Sequence, residues 1–125
     1  MLFRSQQVDP TVAPDESFIV FSAKHPDIDE HERLYISFHT ATGWGSAIDF
    51  GAPVNLEGND SNESRLAPDG RTLYFASDRQ GAIHYPRTSA QAEADLARIA
   101  AWDNGNQNLW RVSLAPWLDA AKKTR

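Results

Sequence analysis

Short runs of hydrophobic residues, separated by turn-forming residues, recur along the chain and predict a protein built mainly of β-strands. Residues 18–21 and 73–76 are almost wholly apolar and rich in β-branched and aromatic side chains, which predicts strands covered on both faces. Residues 33–38 and 108–114 alternate apolar with polar side chains, as strands with one buried face do. The pattern therefore predicts antiparallel sheets.

Similar turns precede the two strongest strand runs. Pro14 and Asp15 stand before the first run, and Pro68, Asp69 and Gly70 stand before the second. Proline presets φ in a β-turn and glycine accepts a positive φ, so both segments are predicted to be tight turns. Self-similarity at a spacing of several tens of residues indicates a repeat architecture.

The repeats predict a single partial unit made of two similar modules. One covers about residues 9–56 and the other about 62–114, the latter with an insertion at 80–107. Each module is expected to be a meander of four antiparallel strands, which is the unit of a β-propeller blade. The predicted fold class is therefore all-β, with about two antiparallel four-stranded propeller blades and one inserted α-helix near 88–102. The tail, residues 115–125, is predicted to make a last helical turn.

The inserted helix has a recognisable beginning. Thr88 and Gln91 have the spacing of a capping box. Four residues are expected to form one apolar face that packs on the blade: Ala92, Leu96, Ile99 and Ala100.

Composition narrows the choice of partner. The net charge of −5 and a pI near 5.2 disfavour nucleic acid and anionic membranes, and no apolar run is long enough for membrane insertion. The absence of cysteine excludes disulfides and thiolate metal sites. Residues 1–4 are followed at once by polar residues, so no signal peptide is predicted, and by this criterion alone the chain would be cytosolic.

Residues 66–79 read Leu-Ala-Pro-Asp-Gly-Arg-Thr-Leu-Tyr-Phe-Ala-Ser-Asp-Arg and resemble the signature of the TolB-type, WD40-like propeller repeat. Residues 108–110 fit the strand that follows in this signature, and the first copy keeps only its Pro-Asp turn and Leu34-Tyr35. The resemblance covers most of residues 9–114. It implies a bacterial, periplasmic, non-enzymatic scaffold for protein–protein interaction, with a protein partner and no cofactor.

Propellers have about four to eight blades, so about two blades leave apolar faces uncovered. The resemblance therefore implies either self-association or further blades outside this sequence. One alternative function is a propeller that binds a small molecule or carbohydrate, for which the four tryptophans could form a site. Another is an accessory propeller of a hydrolase whose catalytic part lies elsewhere. Residues 43–46, Gly-Trp-Gly-Ser, do not supply the Gly-x-Ser-x-Gly motif of such hydrolases, and we predict no enzymatic activity.

One loop concentrates residues that bind divalent metals elsewhere. It contains His25, Asp27, Asp29 and His31, together with two glutamates. The stretch lacks the glycine and the distal glutamate of a calcium loop. We therefore predict a solvated polar hairpin and no metal site, with these four residues kept as candidate contacts to a partner.

Three further residues are candidate ligand or partner contacts. Asp78 and Arg79 could bind a ligand at a channel mouth, but the favoured role is to brace the blade, with Arg79 bonded to a carboxylate or to backbone carbonyls. His84 has no nucleophile or carboxylate near it in sequence and is expected to be a loop residue. Asp69 is expected to fix its own turn by an Asx-type hydrogen bond.

Overall fold

The computed structural model describes residues 7–25, 29–80, 85–100 and 105–123. The first sheet contains β1 (Gln7–Val12), β2 (Phe18–His25), β3 (Asp29–Thr40), β4 (Gly43–Trp44) and β5 (Ile48–Asp49). The second contains β6 (Ser61–Leu66), β7 (Thr72–Ser77) and β8 (Asn108–Ser113), and the helices are α1 (Ser89–Ile99) and α2 (Ala115–Lys123). Strands β1 to β3 are neighbours in chain order, β4 and β5 both pair with β3, and β7 lies between β6 and β8. Every pair is antiparallel, which confirms a largely β fold.

The hairpins β1–β2 and β6–β7 have the same register, displaced by 54 residues. Thr11 faces Val20 in the first hairpin, and Arg65 faces Tyr74 in the second. A β-bulge interrupts β1 two strand positions before its end and interrupts β6 at the corresponding place. A non-glycine residue with positive φ marks each bulge: Asp9 at 53° and Glu63 at 50°.

The two Pro-Asp turns also have the same backbone geometry. The amide of Glu16 donates to the carbonyl of Ala13 at 2.8 Å, and the amide of Gly70 donates to the carbonyl of Ala67 at 2.9 Å. Glu16 has φ 60° and Gly70 has φ 69°, so both turns need the left-handed conformation at this position. Because only glycine adopts that conformation without strain, the turn at Glu16 is the strained member of the pair.

We expect Glu16→Gly to raise the free energy of unfolding by about 0.5 kcal/mol, because roughly 1–2 kcal/mol of strain outweighs roughly 0.5–1 kcal/mol of added chain entropy. Gly70→Ala is the matched control and should lower it by about 1 kcal/mol. A Cβ at Gly70 meets nothing within 4 Å, so the loss measures conformation alone. Urea denaturation checks both variants. Effects of the same sign would contradict the assignment of strain to the turn at Glu16.

The two sheets pack face to face through faces that do not correspond. The first sheet contributes Val20 and Leu34 to the shared core, whereas the second contributes Leu73 and Phe75. The counterpart of Phe75 at the 54-residue displacement is Phe21, which lies on the opposite face of the first sheet. The two sheets therefore contribute opposite faces, in terms of the 54-residue correspondence, to the shared core. The stacking of the sheets thus has a direction.

Strand β2 is buried on both of its faces, as predicted. Phe21 and Tyr35 stack at 5.8 Å between ring centroids on the face away from the second sheet, and both are buried there with Ala23. We call these three residues the far face. Strand β7 differs, because Tyr74 and Ala76 alternate with buried residues and are only half-buried. The prediction of two covered faces is wrong for β7.

The second sheet has three strands in the described part of the chain, and the predicted four-stranded blade is wrong there. After β8 the chain passes through the buried Leu114 and turns at once into α2, so no outer strand follows β8 in the described residues. Trp117 and Leu118 of α2 pack on the shared core. The Trp117 ring meets that of Phe50 edge-on at 4.7 Å. The predicted last helical turn is thus a nine-residue helix.

Helix α1 begins as predicted but does not pack as predicted. Thr88 accepts a hydrogen bond from the amide of Gln91 and the Gln91 side chain accepts one from the amide of Thr88, which completes the capping box. Leu96 is 67% exposed, although it was expected in an apolar contact. Polar contacts support the helix instead: Asp95 pairs with Arg87 at 2.6 Å and with Arg98 at 3.3 Å. Neither described helix is long and apolar enough to cross a bilayer.

Candidate functional site

The second sheet presents a mixed apolar and basic surface on the side away from the first sheet. Tyr74 of β7 stands between Arg65 of β6 and Arg111 of β8, each directly opposite it across a strand pair. Ala76 and Leu109 form the next pair along the same face. We call these five residues the outer face. Neighbouring strands lie about 4.8 Å apart, so the two arginines flank the tyrosine in a single row.

Leu109 on the outer face has a buried counterpart in the first sheet. Leu34 pairs with Ser22 in β2, and Leu109 pairs with Ala76, which lies 54 residues after Ser22. Leu34 is 0% exposed because the second sheet covers it, whereas Leu109 is 71% exposed. The outer face is therefore the equivalent of a surface that the protein itself buries, left open to solvent.

The arginines of the outer face have no acidic partner in the described residues. Arg65 and Arg111 are both exposed, and neither forms an ion pair within the ranges that the structure covers. Arg65 Nη1 donates to the carbonyl of Ser64 at 2.8 Å, which holds its side chain against the strand. Two cations beside a tyrosine and an exposed leucine form a local positive, apolar patch on a chain of net charge −5.

Arg79 lies inside the protein and contacts the backbone. Its Nη1 donates to the carbonyl of Pro53 at 2.6 Å and its Nη2 donates to the carbonyl of Val54. The guanidinium carbon lies 5.2 Å from the Phe75 ring centroid and 5.1 Å from that of Trp110. Burial lowers the pKa of Arg79, and the charge of neighbouring Asp78 opposes this shift. These contacts are those of a bracing residue, and Arg79 as a whole is only 8% exposed.

Asp78 and His31 approach each other through a residue that the sequence did not indicate, Asp60. Asp78 Oδ1 accepts a hydrogen bond from the amide of Asp60 at 2.8 Å. Asp60 Oδ1 in turn accepts one from the amide of Glu32 at 2.7 Å and lies 3.5 Å from His31 Nδ1. The carboxylates thus tie β3 to the second sheet. Asp60 carries no local signal, because its partners are distant in sequence.

The rest of the predicted metal-like loop is described only in part. His25 ends β2 and Asp29 begins β3, where their backbones pair. Their side chains, and Asp27 and His84 altogether, lie outside the described residues. Within the described part of the chain, no group of three histidine or acidic side chains is placed to hold a metal ion.

Asp69 acts on its own turn. Its Oδ1 accepts from the amides of Arg71 at 2.8 Å and Thr72 at 2.9 Å, and its Oδ2 accepts from the Thr72 hydroxyl at 2.8 Å. The hydrogen bond from Arg71, followed by that from the Thr72 side chain, lowers the pKa of Asp69. Asp15 accepts from the amide of Ser17 at 3.0 Å in the matching turn. The lowered pKa favours the ionised, turn-fixing form of Asp69, and Asp15 makes the corresponding hydrogen bond in its own turn.

The outer edge of the first sheet is closed by the side chain of Asn55, whose hydrogen-bond partners the sequence did not indicate. Asn55 Oδ1 accepts from the amide of Leu34 at 2.8 Å, and its Nδ2 donates to the Leu34 carbonyl at 2.9 Å and to Asp49 at 2.7 Å. Burial acts to raise the pKa of Asp49, but hydrogen bonds from Arg33, Gly51 and Asn55 outweigh it and lower that pKa. Asn55 thus takes the place of a strand neighbour.

A groove of about 640 Å³ lies between the first sheet and α2. Its walls are largely apolar and include Phe38, Ile48 and Trp117, with His39 at the rim. The His39 ring stacks on Trp44 at 4.7 Å between centroids. Of the four tryptophans considered for a sugar site, Trp117 therefore lines a groove and Trp44 lies next to it.

Comparison of the chain with protein-family models, with curated proteins and with solved structures found no match.

Proposed function

We propose that this protein is a non-enzymatic protein–protein interaction module, and that the outer face is its contact surface. The observation that carries the proposal is the contrast between Leu34, which is 0% exposed, and Leu109, which is 71% exposed at the corresponding position. An apolar patch rimmed by polar residues is typical of an interaction site, and Leu109 lies in such a patch beside Tyr74, with arginines on both sides of the tyrosine. The sheets supply the rigidity and the outer face supplies the contacts.

The stacking of the sheets supports a module of the TolB-like propeller type. In a propeller, the front of each blade packs against the back of the blade before it, so corresponding faces never meet. The shared core here has that arrangement, with Phe75 of one sheet and Leu34 of the other both buried in it. The 54-residue displacement of register, bulge and turn adds to this support. Among the described residues, such stacking leaves the outer face without a neighbouring sheet.

A second candidate function is the binding of a small molecule or carbohydrate in the groove beside α2. The observation that favours it is the aromatic lining by Phe38 and Trp117, because sugar rings stack on such faces. A saturable change in tryptophan fluorescence on titration with oligosaccharides would favour this function. The alternative of an accessory module for a separate hydrolase is a case of the first proposal, because that hydrolase would then be the protein partner.

The experiment places a photo-activated cross-linking amino acid at position 109 of the protein in its source cells. We expect a discrete cross-linked product from position 109 and none from position 57, where Glu57 is also exposed but lies off the outer face. Mass spectrometry then identifies the second chain. Equal products from both positions, or none from position 109 in protein that is folded by circular dichroism, would refute the proposal.

A further inference from the structure

We propose that the partner of the outer face is an acidic polypeptide surface that presents an apolar side chain between carboxylates. This inference rests on the proposed function, and it names the chemistry of the partner. Arg65 and Arg111 stand on the two sides of Tyr74, with Leu109 in the next cross-strand pair. Carboxylates that meet the two guanidinium groups would enclose a contact to the tyrosine ring and the leucine.

The residue types of the outer face fit an interface. Tyrosine and arginine are enriched among the residues that dominate binding energy, because each offers a large contact area together with directional hydrogen bonds. A guanidinium binds a carboxylate through two parallel hydrogen bonds, and it does so more strongly where water is excluded. Tyr74 is half-buried between the arginines and Leu109 is exposed, so a docked partner would desolvate all of them together.

A second copy of this chain fits the outer face poorly. In head-to-tail stacking, the outer face of one copy would meet the far face of another. The far-face residues Phe21, Ala23 and Tyr35 are already 3%, 1% and 3% exposed, so they are covered within one chain. The acid near that face, Asp49, is already bonded to Arg33 at 2.8 Å and offers no free charge to Arg111. Self-association is therefore an outcome to be tested and not the expected one.

Nucleic acid also fits poorly. Binding to a phosphate backbone depends on many cations, and two arginines provide few. The chain as a whole carries a net charge of −5 and would repel a long polyanion outside the immediate patch. A short acidic segment with apolar residues avoids this repulsion, because most of its contact area is uncharged.

The experiment measures fluorescence anisotropy of three labelled probes of equal length: a peptide of alternating glutamate and leucine, a peptide of alternating lysine and leucine, and a single-stranded DNA. We expect saturable binding of the glutamate peptide alone. In the double variant Arg65→Glu/Arg111→Glu this affinity should fall about tenfold or more, because both charge pairs become repulsive. The matched control, Lys122→Glu/Lys123→Glu, changes the net charge equally on exposed residues of α2 and should alter the affinity by less than about twofold.

Three results would overturn the inference: equal loss in the two double variants, equal binding of the lysine peptide or the DNA, or no saturable binding of the glutamate peptide. Circular dichroism of each variant confirms folding. If position 109 cross-links to a partner, and the Arg65→Glu/Arg111→Glu variant still captures that partner, the proposed function is supported and this inference is refuted. Arginine-dependent binding of the glutamate peptide without any cross-linked product would support the chemistry inferred for the outer face and would refute the proposed function.

Discussion

Leu34→Ala is expected to lower the free energy of unfolding by about 3–5 kcal/mol, whereas Leu109→Ala should change it by less than about 0.5 kcal/mol. Leu34 is 0% exposed in the core between the sheets, so its truncation leaves a cavity that close-packed neighbours fill only in part. Leu109 occupies the corresponding register position but is 71% exposed and loses little packing. Urea denaturation of both variants, compared at equal m-values, provides the measurement.

The pair of leucines also tests the assignment of the outer face. Similar losses for the two variants would mean that Leu109 is packed in solution, and the outer face would then not be an open contact surface. A small loss at position 109 together with weaker partner capture would instead separate the role of Leu109 in binding from any role in folding. The two positions share chemistry and register, so the comparison needs no other reference.

Arg79→Ala is expected to lower the free energy of unfolding by about 3 kcal/mol, because it leaves two carbonyl acceptors without their charged donor. Arg79 Nη1 and Nη2 donate to the carbonyls of Pro53 and Val54, and the guanidinium lies against two aromatic rings. Arg79→Lys should recover only part of this loss, since an ammonium cannot reproduce the planar two-carbonyl contact. Thermal and urea unfolding check both variants.

Arg111→Ala is the matched control for Arg79, because Arg111 is exposed and lies on β8, which pairs with the strand that leads to Arg79. Its effect on the free energy of unfolding should stay within about 0.5 kcal/mol. Should Arg79→Ala leave stability unchanged while abolishing binding of a ligand, Arg79 would be a contact residue and the bracing role would be refuted.

Elements specified by neighbouring residues were predictable from the sequence. The Pro-Asp turns, the strand cores at residues 18–21 and 73–76, and the capping box at Thr88 each depend on chemistry within a few positions. The correspondence between Leu34-Tyr35 and Leu109-Trp110 followed from residue type. In the structure, Tyr35 faces Phe21 as Trp110 faces Phe75. Local propensity and hydrophobic period agree at these places, so single-sequence reasoning was sufficient.

Features that depend on distant partners were not predictable. The carbonyls that accept from Arg79 lie about 25 residues before it, and no local pattern indicates them. Asp60 and Asn55 act through Glu32 and Leu34 in the same way. The exposure of Leu96 reversed an expectation drawn from helical period alone, because that period shows which residues share a face but not whether anything covers it.

The order in which the chain is synthesised gives the stacked sheets a further property. The first sheet is made from one continuous stretch, so its strands can pair on the ribosome before the second sheet exists. During that interval Val20, Leu34 and Ile36 have no sheet to cover them, although all three are 0% exposed in the finished protein. Slow synthesis of β6 and β7 would prolong the contact of this exposed apolar surface with other nascent chains. Translation speed between residues 50 and 77 would thereby influence how much of the protein escapes aggregation.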